Sequence, residues 1–194
     1  MQHMLTPHTL PVEPWVWWDN AFTTQELNWL QSKARNAEID AQVGGAAETG
    51  GVDKFVRRSQ VSWLQKTQET AWVFEKLAHV AASLNAQYYR FDLTGFGEEL
   101  QLTNYNQSEN GMYGWHQDYG GGISRKLSLV VQLADPSEYE GGNLQVMTSG
   151  QPQTVRKQRG LIAVFPSYVL HQVTPVTQGS RQSLVAWVSG PAFR

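Results

Sequence analysis

Eight short stretches of β-forming residues in the second half of the chain constrain its fold more than any other feature. They cover 88–96, 99–105, 126–133, 143–147, 153–156, 161–165, 169–173 and 181–188, with turn formers between them. Strands of this length at this spacing build a sandwich or a double-sheet jelly roll. Successive side chains on a strand point to opposite faces, so each stretch can be divided. In the last one, Arg181, Ser183, Val185 and Trp187 share a face, and Gln182, Leu184, Ala186 and Val188 share the other. Gln101, Thr103 and Tyr105 oppose Leu100 and Leu102, while Ser128, Val130 and Gln132 oppose Leu127, Leu129, Val131 and Leu133. Each strand therefore has one apolar and one mixed face. A jelly roll with a polar cavity between its sheets needs that division, and a sandwich with one wetted face shows it too.

The first half is built differently. Residues 1–11 read as a loose start whose His3 and His8 are solvated. The β-prone run 12–18 carries Pro14, which assigns it to a sheet edge. Thr23 and Glu26 form a capping box ahead of an apolar stripe of Leu27, Leu30, Ala34 and Ala37, which predicts a packing helix. The Gly- and Ala-rich stretch 41–51 is a loop, and as part of 41–53 it is placed to act either as a plain surface loop or as a lid. One strand is expected over 55–64. A second helix is expected over 68–86, with Trp72, Leu77, Val80, Ala81 and Leu84 available for burial and His79 partly buried. The fold class is mainly β, a jelly roll with two N-terminal helices packed on its outside.

Composition narrows the function classes. At 194 residues with no internal repeat or low-complexity linker, the chain is expected to form one domain. A net charge of −2 gives no general reason to bind nucleic acid or an anionic membrane. The chain has no cysteine, which removes disulfides, cysteine zinc sites and thiol nucleophiles. Neither a secretory pattern nor an apolar window of spanning length is present, so the expected location is the cytoplasm.

The chemistry gathers in 104–119, where His116 and Asp118 stand two apart beside Tyr105, Tyr113 and Trp115. On a strand such a pair faces one side. An imidazole and a carboxylate are two parts of the 2-His-1-carboxylate set that holds non-haem iron(II) with open positions. His171, set beyond the apolar strand 161–165 and a turn, offers the third part. Arg181 opens the last strand. Burying an arginine near a metal is costly unless an anion arrives, and its planar fork suits a carboxylate. A cosubstrate with a carboxylate at each end would chelate the metal with one and reach Arg181 with the other. Zinc accepts the same three ligands, but hydrolysis has no role for Arg181. A non-catalytic metal- or peptide-binding jelly roll is the remaining reading.

These residues lie in a longer pattern. It runs Tyr105…Tyr113-x-Trp115-His116-x-Asp118, then Asp135-Pro136-Ser137-Glu138-Tyr139-Glu140-Gly141-Gly142-Asn143-Leu144. It ends Phe165-Pro166-Ser167…His171-x-Val173-x-Pro175-Val176-Thr177-x-Gly179-x-Arg181…Trp187. Across 100–188 the chain resembles the 2-oxoglutarate- and iron(II)-dependent dioxygenases, and within them the prolyl 4-hydroxylase group with its bacterial PKHD-type hydroxylases. The resemblance implies a double-stranded β-helix core, with iron(II) bound by His116, Asp118 and His171. It implies that Arg181 binds the distal carboxylate of 2-oxoglutarate, with Tyr105 beside it. Several animal relatives have a tyrosine where this chain has Gln132, and Gln132 would donate a hydrogen bond in its place. Tyr113, Arg125 and Trp187 fall where relatives contact the target residue or its peptide, although Trp187 also fits a core position and Arg125 a solvated strand end. The implied reaction uses dioxygen to hydroxylate a prolyl residue of a peptide or protein, releasing succinate and carbon dioxide, with ascorbate as a further ligand. A free amino acid or other small metabolite is the alternative substrate.

Overall fold

The alternation along the strands becomes two facing antiparallel sheets in the computed structural model, which describes residues 13–43, 51–120, 122 and 124–193. The segment 1–11 with His3 and His8, and residues 44–50 of the 41–53 loop, lie outside the described residues. Among the described residues the larger sheet has nine strands. Its main path runs Val16–Trp18, Ile162–Pro166, Arg125–Gln132, Val176–Ser189, Leu100–Asn106, Gln60–Leu64 and Ile39–Asp40, and Gly95–Phe96 and Tyr139–Gly141 pair along Val176–Ser189. The smaller sheet runs Gln151–Thr154, Leu144–Thr148, His171–Val173, Met112–His116 and Arg57–Arg58. This is the expected mainly β jelly roll, and Val16–Trp18 takes the expected edge.

Two helices cover one side of the larger sheet. Helix α1 (Thr24–Arg35) starts where the Thr23 hydroxyl accepts from the Glu26 N–H at 3.3 Å and the Glu26 carboxylate accepts from the Thr23 N–H at 2.7 Å. That is the reciprocal box expected from the sequence. It buries Leu27, Leu30 and Ala34. Helix α2 (Ala71–Leu84) buries Val73, Phe74, Leu77, Val80, Ala81 and Leu84. Both pack on Leu100, Leu102, Leu127, Leu129, Val131, Leu184, Ala186 and Val188, which are the apolar faces separated by the period of two. At about 1.5–3 kcal/mol for each fully buried leucine or valine, this side is the fold's main store of stability. No helix among the described residues is long and apolar enough to cross a membrane.

The opposite, mixed faces look inward. Gln101, Tyr105, Val130, Arg181, Ser183, Val185 and Trp187 line a cavity of about 420 Å³ between the sheets. A sandwich with a wetted face is thereby ruled out.

The chain departs from expectation in four places. The single strand expected over 55–64 is two, one in each sheet. Asp53 accepts from the N–H groups of Phe55, Val56 and Arg57 through its carboxylate and carbonyl, which makes a turn with Phe55 92% exposed. Arg57–Arg58 then pairs with Tyr113 and Met112, and after the buried Ser59 the chain joins the larger sheet. Only Gly95–Phe96 of the strand expected over 88–96 forms. α2 instead runs into a π-helical turn, Asn85–Tyr89, that ends at the left-handed Arg90 (φ 56°). There the Asn85 side chain bonds both the N–H and the carbonyl of Phe91 at 2.9 Å. Helix α2 begins later than expected because Thr70 turns its hydroxyl back to the Gln65 carbonyl and accepts from the Thr67 N–H. His79 is exposed on α2 rather than partly buried, with its ring edge-on to Trp18.

Candidate active site

Strand pairing across the smaller sheet sets His171 directly opposite His116. Each imidazole meets a backbone carbonyl through Nδ1, His116 to Gly114 at 2.8 Å and His171 to Val169 at 3.0 Å. A carbonyl only accepts, so both protons sit on Nδ1 and both Nε2 lone pairs are free. Second-sphere orientation of this kind is typical of metal-binding histidines. Asp118 meets the two rings, with His116 Nε2 3.7 Å from Oδ1 and His171 Nε2 3.5 Å from Oδ2. Ligand atoms of the three residues all lie within 4.8 Å of one another.

Asp118 reaches this point by a route the alternation rule did not supply. The strand ends at His116, and Asp118 sits in the bend beyond it. Its N–H and that of Tyr119 both donate to the Ser167 carbonyl, at 2.9 and 3.0 Å. Backbone pinning therefore aims the carboxylate. Burial lowers the His116 pKa to about 3, so the ring is in the neutral form a metal requires. Burial alone would raise Asp118. The two imidazoles, the Ser128 hydroxyl and the nearby Trp187 indole outweigh it and hold the carboxyl below its ordinary value. An anionic carboxylate and a neutral imidazole side by side are the donor set that accepts iron(II).

Deeper in the same cavity lies Arg181, 1% exposed. Its Nη2 donates to Gln132 Oε1 at 3.0 Å and its Nη1 to Ser183 Oγ at 3.4 Å, while its Nε has no partner. Among the described residues no carboxylate pairs with it. Gln132 thus accepts from the arginine through Oε1, which leaves its amide N–H groups for the donor role expected of it toward the cosubstrate. The Tyr105 ring lies 5.4 Å from the guanidinium carbon. Burial raises the Tyr139 hydroxyl above its ordinary range, and the neighbouring Arg181 charge offsets part of that rise. Gly142, at φ +54°, makes room for the arginine stem, because a Cβ there would stand 3.1 Å from Arg181 Cδ. A buried cation with only neutral partners and an orphan N–H is a costly arrangement, and the carboxylate of a 2-oxoacid fits it.

Toward the mouth, Tyr113 stacks on His116 with centroids 3.4 Å apart, and burial pushes its hydroxyl up to about 12. Trp187 is buried, with Arg125 over its ring at 3.9 Å. Arg125 is not a solvated strand end. Its fork holds Glu98 through Nε and Nη2 at 2.6 and 2.5 Å, so its charge is already matched. All nine residues singled out in the sequence lie in or against one site, Gln132 by way of Arg181. Sequence reasoning missed Arg57 in the cavity wall. This buried arginine bonds Ser59 Oγ at 2.9 Å and Gln101 Oε1 at 2.8 Å and lies over Tyr113 at 4.6 Å, with no carboxylate partner among the described residues. The alternation that put Gln101 with Tyr105 marked one end of this contact, but a continuous 55–64 strand hid the other. Trp63 and Ile39 line the mouth while 42% and 59% exposed.

Comparison with known proteins agrees with this geometry. The 2OG-Fe(II) oxygenase superfamily matches residues 100–189. A PKHD-type hydroxylase of Synechococcus elongatus is 30% identical over 177 residues, spanning 88% of this chain and 76% of its own length. One from Burkholderia ambifaria is 29% identical, spanning 87% and 75%. Among solved structures, a Pseudomonas putida prolyl-4-hydroxylase superposes with a TM-score of 0.69 at 21% identity, covering 92% of this chain and 94% of that one. A Trichoplax adhaerens prolyl hydroxylase, solved with a hypoxia inducible factor peptide fragment, gives 0.71 at 14% identity, covering 91% and 84%. At such identities the likeness establishes the fold, and the sequence relatives establish the family. The chain belongs to the 2OG-Fe(II) oxygenase superfamily, in its PKHD-type hydroxylase group, and is a dioxygenase dependent on iron(II), 2-oxoglutarate and dioxygen.

Proposed function

We propose that the protein hydroxylates a prolyl residue of a peptide or protein, with release of succinate and carbon dioxide. In this reading His116, Asp118 and His171 hold iron(II), and Arg181 with Gln132 and Tyr105 holds the distal carboxylate of 2-oxoglutarate. When bound, iron(II) with 2-oxoglutarate and dioxygen supplies the oxidising power. The protein's share is orientation. The Nδ1 hydrogen bonds aim both imidazoles, Gly142 makes room for the Arg181 stem, and Tyr113, Arg125 and Trp187 wall the place where the target residue comes. The observation that carries the reading is Arg181, a buried guanidinium with no carboxylate among the described residues, in the same cavity as the His–Asp–His set.

Exposed Ile39 and Trp63 at the mouth favour a polypeptide, because they offer apolar surface to residues flanking the target. The protein's structural neighbours include a prolyl hydroxylase solved in complex with a peptide fragment. Arg57 favours the second reading, in which the substrate is a free amino acid or other small metabolite whose carboxylate meets this guanidinium. Succinate release, measured with proline-containing peptides and with free amino acids, separates the two, and mass spectrometry of the product locates the added oxygen. Release coupled to neither class sinks both. Ascorbate dependence, which the resemblance implies, is read in the same assay by omitting it.

A further inference from the structure

Asp118 is held by two serines whose place in the sequence pattern carried no assigned role. Ser128 Oγ donates to Asp118 Oδ2 at 2.6 Å, within the range of a charge-assisted O–H···O⁻ bond. Ser167 Oγ lies 3.1 Å from Ser128 Oγ. Since Ser128 commits its one proton to Asp118, Ser167 is the donor between the two hydroxyls. The Ser167 carbonyl is also the acceptor that pins the Asp118 bend. Both serines are fully buried, so bulk water does not compete for these bonds. Neither serine reaches Oδ1, which lies 3.7 Å from His116 Nε2, while the Ser128-bonded Oδ2 lies 3.5 Å from His171 Nε2.

We propose that Ser128, with Ser167 behind it, is a positioning pair that biases Asp118 toward holding the ion through one oxygen rather than two. This rests on the assignment of Asp118 as a ligand. The consequence is a matter of counting coordination positions. A carboxylate that binds through both oxygens takes one more position than a carboxylate that binds through one. A 2-oxoacid chelates through two atoms and dioxygen needs a place beside it, so a chelating Asp118 would compete with the cosubstrate. The Ser128 bond takes up one lone pair of Oδ2 and weakens that oxygen as a donor, which favours one-oxygen binding and keeps that position open.

The test uses the full chain, anaerobically, as wild type, Ser128→Ala, Ser128→Thr and Ser167→Ala. Iron(II) is titrated first, then 2-oxoglutarate, followed by the visible absorption that appears when the 2-oxoacid binds the metal. Ser128→Ala is expected to keep iron(II) affinity close to wild type while weakening 2-oxoglutarate about tenfold, the scale of one hydrogen bond's net contribution. Ser128→Thr, which restores the hydroxyl, is expected to recover it. Unchanged 2-oxoglutarate affinity in Ser128→Ala overturns the proposal, as does an equal loss of iron and cosubstrate. Should Ser128→Ala fail to fold, Ser167→Ala decides: a selective loss of 2-oxoglutarate affinity supports the pair and unchanged affinity refutes it. A wild type that binds neither iron(II) nor 2-oxoglutarate removes the site assignment itself, a result distinct from all of these.

Discussion

Replacing Arg181 by methionine should separate stability from function in opposite directions. The side chain is 1% exposed and donates to neutral acceptors, one of them at a long 3.4 Å, with Nε unpaired. Removing the orphan N–H relieves about 1–3 kcal/mol, and removing the buried charge relieves several more. Against this, Gln132 Oε1 loses its donor, a cost of about 1–3 kcal/mol, and the arginine's own hydrogen bonds are lost. The net is a ligand-free protein more stable by about 1–3 kcal/mol, or a rise of roughly 2–12 °C in Tm for a domain this size. In the proposed reading the same change also removes the charged fork from the cosubstrate's distal carboxylate, worth about 1.5–3 kcal/mol per charge-assisted bond. Two such bonds correspond to a rise in the 2-oxoglutarate Kd of at least about a hundredfold. Denaturant unfolding of the ligand-free proteins gives the first quantity, and 2-oxoglutarate titration of the iron-loaded proteins gives the second. A ligand-free Arg181→Met less stable than wild type by more than about 1 kcal/mol would refute the reasoning, because the guanidinium would then be satisfied by the fold itself.

Other substitutions probe the parts separately. His116→Ala and Asp118→Ala should abolish substrate-dependent succinate formation, and retained turnover in either purified variant would remove the metal assignment. Leu184→Ala, on the helix-covered face and fully buried, should cost about 2–5 kcal/mol in unfolding free energy, with 2-oxoglutarate affinity held in the protein that remains folded. Thr23→Ala should cost about 1 kcal/mol by removing the α1 cap, measured by urea unfolding. Glu98→Gln leaves Arg125 without its carboxylate, so it should destabilise by about 3 kcal/mol and raise the substrate KM, with the 2-oxoglutarate Kd unchanged.

Period-two alternation makes the larger sheet legible because both faces of its strands are committed, one to helices and one to the cavity. That is why alternation alone places Arg181, Ser183, Val185 and Trp187 together and Leu184 and Val188 opposite them. Alternation fails where tertiary bonding overrides local preference. β-propensity measures the fit of a side chain to a half-buried surface, and 88–96 finds that surface as a turn, with the Tyr89 and Phe91 rings stacked at 5.7 Å. The 55–64 run keeps its β-prone residues but changes sheet at Ser59, a choice made by bonds from Arg57 to Ser59 and Gln101 that no local pattern encodes. For Asp118 the i, i+2 rule reaches the right residue for an incomplete reason. Its neighbour in sequence is His116, but its aim is set by Ser167 and Ser128, which are remote in sequence. Gln132 belongs beside Arg181 on pattern grounds, and its acceptance of the Arg181 Nη2 bond becomes legible only with the arginine's donors in view.

The same alternation explains how the protein tolerates a cavity built from costly parts. Arg57 and Arg181 are both buried with no carboxylate partner among the described residues, and Arg181 Nε lacks a hydrogen-bond partner. Each arrangement is unfavourable until a ligand arrives. For Arg181 the offset lies on the opposite face of the same strand, in Leu184, Ala186 and Val188, which share one core with α1, α2, Leu127, Leu129 and Val131. Because that core touches the helices and not the cavity, the strand is held firmly enough to keep Arg181 in place while the arginine's own bonds stay incomplete. In the proposed reading, incomplete bonds are what give an arriving carboxylate its binding energy, since a guanidinium already matched inside the protein would have to lose one partner to gain another. Arg125 marks the contrast within the same cavity: matched to Glu98, it serves to fix Trp187 rather than to wait for an anion.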